Sequence, residues 1–321
     1  MQVSLHHGSR AVDTRRSLCQ DRPAGSLGPE FIRQHEQLHG GGALNSIGSV
    51  LYAPQNSSTE GKVFVNLLGP LEILDECGNS ITPAPAKMRA LVALLSAHPG
   101  VVMTTQQMQV ALWPDNPPRT ATTAMQVYVS RLRKHLDANG TPQGAIATRP
   151  SGYVLDDGDY VIDHQVFRSL VRQADHAESE NRIEDAVEML QQALLLRRGP
   201  ALADLRMLPA LNAIGRRFDE QMLATFGRKA ELELNLDRHA RLIPELIAMA
   251  AEHPLHEHIH QLLMLCLYRS GRAAEALSIY ARLRELLIDA AGLEPSATTQ
   301  RLQHRILQLD MRLSGADALA A

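Results

Sequence analysis

The chain has 321 residues, which is enough for two domains that each bury a core. Its formal net charge of −3 does not by itself favour a nucleic-acid partner. The sequence holds no apolar run of the roughly 18 residues that a membrane-spanning helix needs, no apolar signal core and no paired cysteine spacing. We therefore expect a cytoplasmic protein that does not enter a membrane.

Residues 1–60 are rich in Gly, Ser, His and Gln and show weak periodicity, so we expect a disordered tail there. Regular patterns run from Lys62 to about residue 311. Near residue 158, short strand-like runs give way to almost unbroken helical periodicity. The predicted organisation is a tail (1–60), a first domain (61–158), a second domain (159–311) and a short tail (312–321).

The first domain opens with two short predicted strands at 62–68 and 71–74, separated by Gly69-Pro70. A helix is expected after Pro85, and a His-Pro-Gly sequence at 98–100 would end it. The predicted core face of this helix contains Met88, Leu91, Val92 and Leu95.

Two further helices are predicted between residues 104 and 136, on either side of a turn. Thr104 and Gln107 have the spacing of a capping box, so the first helix should start there, and Trp113-Pro114 should end it. Asn116 is a suitable cap for the second helix, which would tolerate a proline just inside its start. An Asn-Gly pair at 139–140 would supply the stop after about residue 136.

The second of these helices is predicted to be amphipathic. Its buried side would contain Met125, Val129, Leu132 and Leu136. Its opposite side carries Thr120, Thr123, Val127, Ser130, Arg131 and Lys134, with Gln126 and Arg133 on the flank. Small polar groups, one apolar contact and several cations suit a helix in the DNA major groove. Residues 116–150 contain five basic residues and one acidic residue, although a solvated helix face would explain this local excess equally well.

A predicted hairpin follows, with strand-like runs at 145–148 and 153–155. They flank a turn built from Arg149, Pro150, Ser151 and Gly152. The order of strands, three helices and a hairpin predicts a winged helix-turn-helix of α+β class. Arg149 at the wing tip is either a solvated turn residue or a probe of the minor groove.

The second domain is predicted to be all-α and repetitive. The sequence NRIEDAV at 181–187 recurs as GRAAEAL at 271–277, and LDRHA at 236–240 is a weaker copy. Arg238 and Arg272 are 34 residues apart, which is the period of tetratricopeptide helix pairs. A long helix at about 208–235 would interrupt the array. Close helix approach would use Ala186, Ala240 and Ala276, and the space between repeats would be filled by Leu277, Tyr280 and Leu283.

An ordered set of motifs in the first domain resembles the OmpR-type winged helix: LGPLE at 68–72, KMRAL at 87–91, ALW at 111–113, PPRTA at 117–121, VYVSRLR at 127–133 and GY at 152–153. The second domain resembles the bacterial transcriptional activation domain of the SARP family, the Streptomyces antibiotic regulatory proteins. That likeness is carried by HPL at 253–255, YRSGR at 268–272, EAL at 275–277 and GLEPS at 292–296. The expected fold class is mostly α, with an N-terminal winged helix-turn-helix followed by an all-α tetratricopeptide-like domain.

The resemblance to the SARP family implies a sequence-specific transcriptional activator of a secondary-metabolite (antibiotic) biosynthesis gene cluster. Such proteins bind direct repeats in promoter DNA side by side. The resemblance also implies self-association on DNA and contact with RNA polymerase, which the turn at 113–119 would face. No cofactor, metal site or catalytic site is expected, and the expected location is the cytoplasm, at the nucleoid.

The expected DNA contacts divide into base contacts and phosphate contacts. Arg131 would bind guanine and Val127 a thymine methyl group, whereas Thr123, Tyr128 and Arg133 would bind phosphates. The full predicted set is Arg119, Thr120, Thr123, Gln126, Val127, Tyr128, Ser130, Arg131, Arg133, Lys134 and Arg149.

Residues 256–260 suggest a different class of protein, because they satisfy the H-E-x-x-H pattern of zinc proteases, with Glu275 as a conceivable third ligand. Against this, Ile259 and Leu262 would be needed for packing, and Leu263 stands where the extended motif has glycine. We therefore predict solvated histidines near a helix start, and no enzyme.

A second alternative is a tetratricopeptide-like interaction scaffold whose winged helix binds protein instead of DNA. Salt separates this alternative from the activator, because counterion release makes DNA affinity steeply dependent on salt concentration.

Overall fold

The computed structural model of the chain describes residues 63–139, 145–155, 160–310 and 313. These residues form two compact units. The first unit comprises the residues up to His164 together with Leu202–Ala213, and the second comprises Gln165–Ala201 and the residues from Ile214 onward. The predicted tails at 1–60 and 312–321 lie outside the described residues, apart from Leu313.

Small sheets and three helices make up the described part of the first unit. The strands are β1 (Val63–Asn66), β2 (Glu72–Leu74), β3 (Met103–Thr104), β4 (Ile146–Arg149), β5 (Gly152–Leu155) and β6 (Tyr160–Ile162). The helices are α1 (Ala86–Ser96), α2 (Thr105–Leu112) and α3 (Ala121–Ala138). β1 lies between antiparallel β2 and parallel β6, and β5 lies between antiparallel β3 and β4. This is the predicted winged helix-turn-helix.

Local patterns predicted α1 but missed two of the strands. α1 starts after Pro85, and its four predicted core residues, Met88, Leu91, Val92 and Leu95, are all buried. The predicted runs at 62–68 and 71–74 contain β1 and β2. β3 was missed because two residues show no period, and β6 was missed because its partner β1 lies far away in the sequence.

A buried carboxylate fixes the chain where it leaves β1. Asp163 is the first residue of helix α4 (Asp163–Ser179) and is only 2% exposed. Its two oxygens accept hydrogen bonds from the backbone N–H groups of Leu67 and Leu68, each at 2.8 Å, and from that of His164 at 2.7 Å. Because buried N–H groups without partners are costly, this side chain stabilises the junction between β1 and β6.

The segment Leu202–Ala213 packs within the first unit although helices of the second unit flank it in the sequence. The backbone N–H of Leu202 donates to the carbonyl oxygens of Leu67 at 3.1 Å and Gly69 at 2.6 Å. Asp204 accepts from the N–H of Leu71 at 2.8 Å and lies 3.3 Å from the Arg89 guanidinium. The loop after β1 therefore depends on a segment that follows more than 100 residues later.

The second unit is helical throughout its described part. After α4 its helices are α5 (Ile183–Leu194), α6 (Pro209–Asn235), α7 (His239–Glu252), α8 (Glu257–Arg269), α9 (Ala273–Ala291) and α10 (Ala297–Leu307). The predicted long helix at 208–235 is confirmed as α6, whose first residues belong to the first unit. The predicted fold class, mostly α with a winged helix and a helical repeat domain, is confirmed.

The recurring sequence motif marks three helix-to-helix turns of the same geometry. Asn181, Asp237 and Gly271 have φ angles of 60°, 55° and 74°, the left-handed conformation that ends many helices. The N–H of each following arginine donates to a carbonyl oxygen in the last turn of the preceding helix. These bonds join Arg182 to Ala177 at 2.8 Å, Arg238 to Glu233 at 2.9 Å and Arg272 to Leu267 at 2.9 Å. The motif therefore encodes a repeated turn.

One packing prediction for these repeats was wrong. Ala186 and Ala276 are fully buried, as expected, but Ala240 is exposed. The buried position four residues after the repeat arginine is occupied in the middle copy by Leu242. Arg238 is in register with the other two repeat arginines, but Ala240 lies only two residues after it and therefore does not occupy the position of Ala186 and Ala276. Of the predicted filling residues, Leu283 is buried, and Leu277 and Tyr280 pack partly buried against the core.

Replacing Asp163 with alanine should lower the free energy of unfolding by about 3 kcal/mol, because buried backbone N–H groups would lose their acceptor. Denaturant unfolding of the full chain measures the change. Asp289→Ala is the matched control, since Asp289 is exposed on α9, and its effect should stay within about 0.5 kcal/mol. Equal effects of the two substitutions would show that the carboxylate does not stabilise the junction.

Candidate nucleic-acid interface

Helix α2 begins at the predicted capping box. The Thr104 hydroxyl accepts from the N–H of Gln107 at 3.1 Å, and the Gln107 side-chain oxygen accepts from the N–H of Thr104 at 2.8 Å. Two backbone donors at the helix start are thereby satisfied. The predicted stop is also confirmed, because α2 ends at Leu112, directly before Trp113.

Helix α3 begins later than predicted. Asn116 does not cap it; α3 starts at Ala121, with Thr120 as the N-cap residue and no side-chain capping bond. The N–H of Ala121 donates to the carbonyl oxygen of Pro118 at 2.8 Å, which closes the turn. Two successive prolines explain the difference, because each disfavours helical geometry at the residue before it. Thr120 therefore lies at the entrance of the helix and not within its exposed face.

One side of α3 is buried as predicted and the other side is open. The buried residues are Ala121, Met125, Val129, Leu132 and Leu136. The exposed residues include Thr123, Gln126, Val127, Ser130, Arg131 and Lys134. Val127 is 41% exposed although it is apolar. Within the described part of the chain, neither Arg131 nor Lys134 forms an ion pair or hydrogen bond through its side chain, so two cations face outward on this surface.

Side chains of Lys87, Trp113 and Tyr128 cluster at the turn between α2 and α3. Lys87 donates a hydrogen bond to the carbonyl oxygen of Leu112 and lies 5.3 Å from the centre of the Trp113 ring. The Trp113 and Tyr128 rings are 6.3 Å apart. Partial burial lowers the pKa of Lys87. Tyr128, predicted as a phosphate contact, is half-buried, and its ring packs near Trp113 at the turn.

The wing presents Arg149 at an exposed tip. β4 and β5 pair in register from Ile146 opposite Leu155 to Arg149 opposite Gly152. The carbonyl oxygen of Ser151 accepts from the N–H of Thr105 at 3.1 Å, which ties the wing turn to the start of α2. The Arg149 guanidinium is exposed, and its contact in the described structure is with the carbonyl oxygen of the adjacent Thr148 at 3.4 Å.

Arg133 lies between α3 and the wing. Its Nε donates to the carbonyl oxygen of Ile146 at 2.9 Å, and its Nη2 donates to the Thr148 hydroxyl at 2.8 Å. The guanidinium carbon lies 5.9 Å from the centre of the Tyr153 ring. From the sequence, Arg133 is expected on the flank of α3 as a phosphate contact. Its contact with the wing is not predictable from the sequence, because no local pattern shows which helix residue meets a later hairpin.

Gly152 is required by the close passage of β3. A Cβ atom at residue 152 would lie 1.9 Å from the carbonyl oxygen of Met103 and 2.8 Å from the Cα of Thr104. These are backbone atoms, which no side-chain rotation can move away. The glycine therefore allows β3 to pair with β5 of the wing.

The H-E-x-x-H residues have structural roles at the start of α8. The Glu257 carboxylate accepts from the N–H of Ser296 at 2.8 Å and from the Ser296 hydroxyl at 2.7 Å, and so joins α8 to α10. His260 is buried, contrary to the prediction of a solvated side chain, and its Nδ1 lies 3.2 Å from the carbonyl oxygen of His256. Glu275 pairs with Arg272 at 2.7 Å. No cluster of three metal-ligating side chains occurs among the described residues.

No helix in the described ranges combines the length and apolar character needed to cross a membrane.

Gly152→Ala should lower the free energy of unfolding by about 2–3 kcal/mol, because the added methyl group overlaps the β3 backbone. Ser151→Ala is the neighbouring control, and its exposed hydroxyl can be removed at a cost within about 0.5 kcal/mol. Denaturant unfolding of both variants measures the difference. A Gly152 variant as stable as the Ser151 variant would contradict the close passage.

Two family models match the chain, one after the other. "Transcriptional regulatory protein, C terminal" matches residues 79–155, which span the three helices and the wing. "Bacterial transcriptional activator domain" matches residues 162–307, from the end of β6 through α10. The two matches follow the order that the sequence resemblance implied.

Named relatives extend this similarity beyond the separate domains. Regulatory protein DnrI of Streptomyces peucetius is 34% identical over 252 residues, which cover 77% of this chain and 92% of DnrI. Regulatory protein AfsR of Streptomyces coelicolor is 34% identical over 269 residues, which cover 84% of this chain but 26% of AfsR. The structure of Mycobacterium tuberculosis EmbR in complex with a low affinity phosphopeptide aligns with a TM-score of 0.73 and 30% identity, covering 81% of this chain and 69% of EmbR. The chain therefore belongs to the SARP family of DNA-binding transcriptional regulators.

Proposed function

We propose that this protein activates a secondary-metabolite (antibiotic) biosynthesis gene cluster by binding direct repeats in promoter DNA and recruiting RNA polymerase. The observation that carries the proposal is the open face of α3, where Arg131 and Lys134 point outward beside the exposed Val127. Membership of the SARP family supports the link to antibiotic clusters. We place the protein in the cytoplasm, at the nucleoid, with residues 61–158 binding DNA and residues 159–311 acting in activation.

We assign base recognition to the centre of the exposed face of α3. Arg131 has a long planar side chain with free donors, so it can bind guanine through two hydrogen bonds. Val127, one turn earlier, can contact a thymine methyl group. Gln126 and Ser130 add hydrogen-bonding groups on the same exposed side. Thr123 lies nearer the helix start, where phosphate is the favoured partner.

Phosphate contacts would come from residues around this centre. Lys134 is exposed on the last turns of α3, and Arg119 and Thr120 are exposed in the turn before it. Tyr128 would contribute its hydroxyl group while its ring stays against Trp113. Arg149 would enter the flanking minor groove, where the negative potential attracts arginine. The phosphate contacts would set the register of the protein on the DNA without reading the base sequence.

We propose that two or more protomers bind neighbouring repeats, because one winged helix has a small footprint and limited specificity. Direct repeats require head-to-tail placement, and the helical domain would support self-association. The exposed turn between α2 and α3 would then face RNA polymerase. The contacts among Lys87, Trp113 and Tyr128 support such a role, since a surface that is ordered before binding loses less conformational entropy on binding.

Arg131→Ala should weaken binding to the specific site by about 1–3 kcal/mol and leave binding to random DNA nearly unchanged. Lys134→Ala is the matched control, because the loss of a phosphate contact weakens both kinds of DNA about equally. Titration of each variant against both DNAs measures the effects. If Arg131→Ala weakened both equally, Arg131 would be a phosphate contact and not a base reader.

Fragments of the organism's own genome that the protein retains should show a protected pair of direct repeats about one helical turn apart. DNA affinity should fall steeply with salt, because each phosphate contact releases counterions. Footprinting and salt titration make these measurements. If no fragment is retained at low salt, the proposed function fails and the protein-interaction scaffold is the better explanation.

A further inference from the structure

We propose that Arg133 is a positioning residue that locks the wing to α3 and thereby sets where Arg149 meets DNA. This inference rests on the proposed function, since it concerns how the two DNA-binding elements of the fold are held together. It gives Arg133 a different task from Arg131 and Lys134 on the same helix. Those two cations are free to contact DNA, whereas the Arg133 guanidinium is already bound to protein groups.

The contacts of Arg133 reach both strands of the wing. Its two hydrogen bonds, at 2.9 and 2.8 Å, hold the backbone of Ile146 and the side chain of Thr148 on β4. Its guanidinium carbon lies 5.9 Å from the centre of the Tyr153 ring on β5, within the range of a cation–π interaction. The rigid planar fork of arginine suits this arrangement, because its donors point in fixed directions. One side chain thus links α3 to both strands of the hairpin.

The two strands of the wing are anchored differently. β5 pairs with β3 as well as with β4, and Gly152 allows the close passage of β3. β4 is the outer strand and carries Arg149 at its end. Among the described residues, the hydrogen bonds that β4 makes to groups outside the hairpin come from Arg133. The hydrogen bonds that link α3 to the strand presenting the minor-groove probe therefore come from this one side chain, and the buried Ile146 adds apolar packing to the same strand.

The consequence for binding follows from preorganisation. Arg131 in α3 and Arg149 on the wing must meet two grooves of the same duplex at a fixed separation. If β4 can shift relative to α3, DNA binding must order the strand at a cost in conformational entropy. Arg149 then contributes less to the binding free energy. The effect of Arg133 on DNA affinity should therefore depend on the presence of Arg149. A residue that contacts a phosphate by itself would act independently of Arg149.

A double-mutant cycle tests this dependence. Affinity for the specific site is measured for the unmodified chain, Arg133→Ala, Arg149→Ala and the double variant. We expect each single substitution to weaken binding about tenfold, and Arg133→Ala to cause less than about a twofold further loss once Arg149 is absent. Footprinting should also show lost minor-groove protection for Arg133→Ala. If the two single effects multiply in the double variant, Arg133 acts independently and the proposal is wrong.

Two conservative variants distinguish a positioning role of Arg133 from the effect of its charge and from a general loss of stability. Arg133→Lys keeps the positive charge but lacks the planar fork that donates to both acceptors, so it should weaken specific binding about as much as Arg133→Ala. Thr148→Val removes one acceptor and no charge, and it should cause a smaller loss that also vanishes without Arg149. Full affinity of the lysine variant would overturn the proposal. Thermal unfolding of each variant shows that it is folded, and failure of the unmodified chain to bind DNA would instead defeat the proposed function.

Discussion

The helical period of α3 is the constraint on which the rest of the interface depends. Burial of Met125, Val129, Leu132 and Leu136 fixes the rotation of the helix about its axis. Once that rotation is fixed, Arg131 and Lys134 can only point away from the core. Burial of the apolar side chains thus determines the direction in which the polar side chains point. Rotation of the helix about its axis would place an unpaired cation against the core.

Holding one helix does not by itself make a DNA-binding surface, because the turn and the wing must keep a fixed place beside it. The cluster of Lys87, Trp113 and Tyr128 holds the turn, and the bond from Thr105 to Ser151 holds the wing tip. The first contact uses partly buried side chains, and the second joins two backbone groups. The surface is therefore built from rigid secondary structure with short connections, which favours precise recognition.

Local sequence patterns predicted what depends on neighbouring residues and failed where distant residues meet. The capping box of Thr104 and Gln107 acts over three residues, so sequence alone located the start of α2. The prediction that Asn116 caps α3 was wrong, because the two prolines that follow it override its capping tendency. The roles of Asp163 and Arg133 depend on backbone groups of strands elsewhere in the chain, and no periodicity reveals such partners. The DNA contacts predicted from the sequence remain proposals.

The interleaving of the two units limits how this architecture can be inherited. Leu202–Ala213 supplies Asp204 and the Leu202 backbone to the loop after β1, although it is encoded after the first two helices that follow β6. A single genetic crossover near residue 162 would join one parent's winged helix to the other parent's version of this segment. Recombination should therefore succeed mainly between parents that agree at these contacts, and otherwise the two units are expected to be exchanged together.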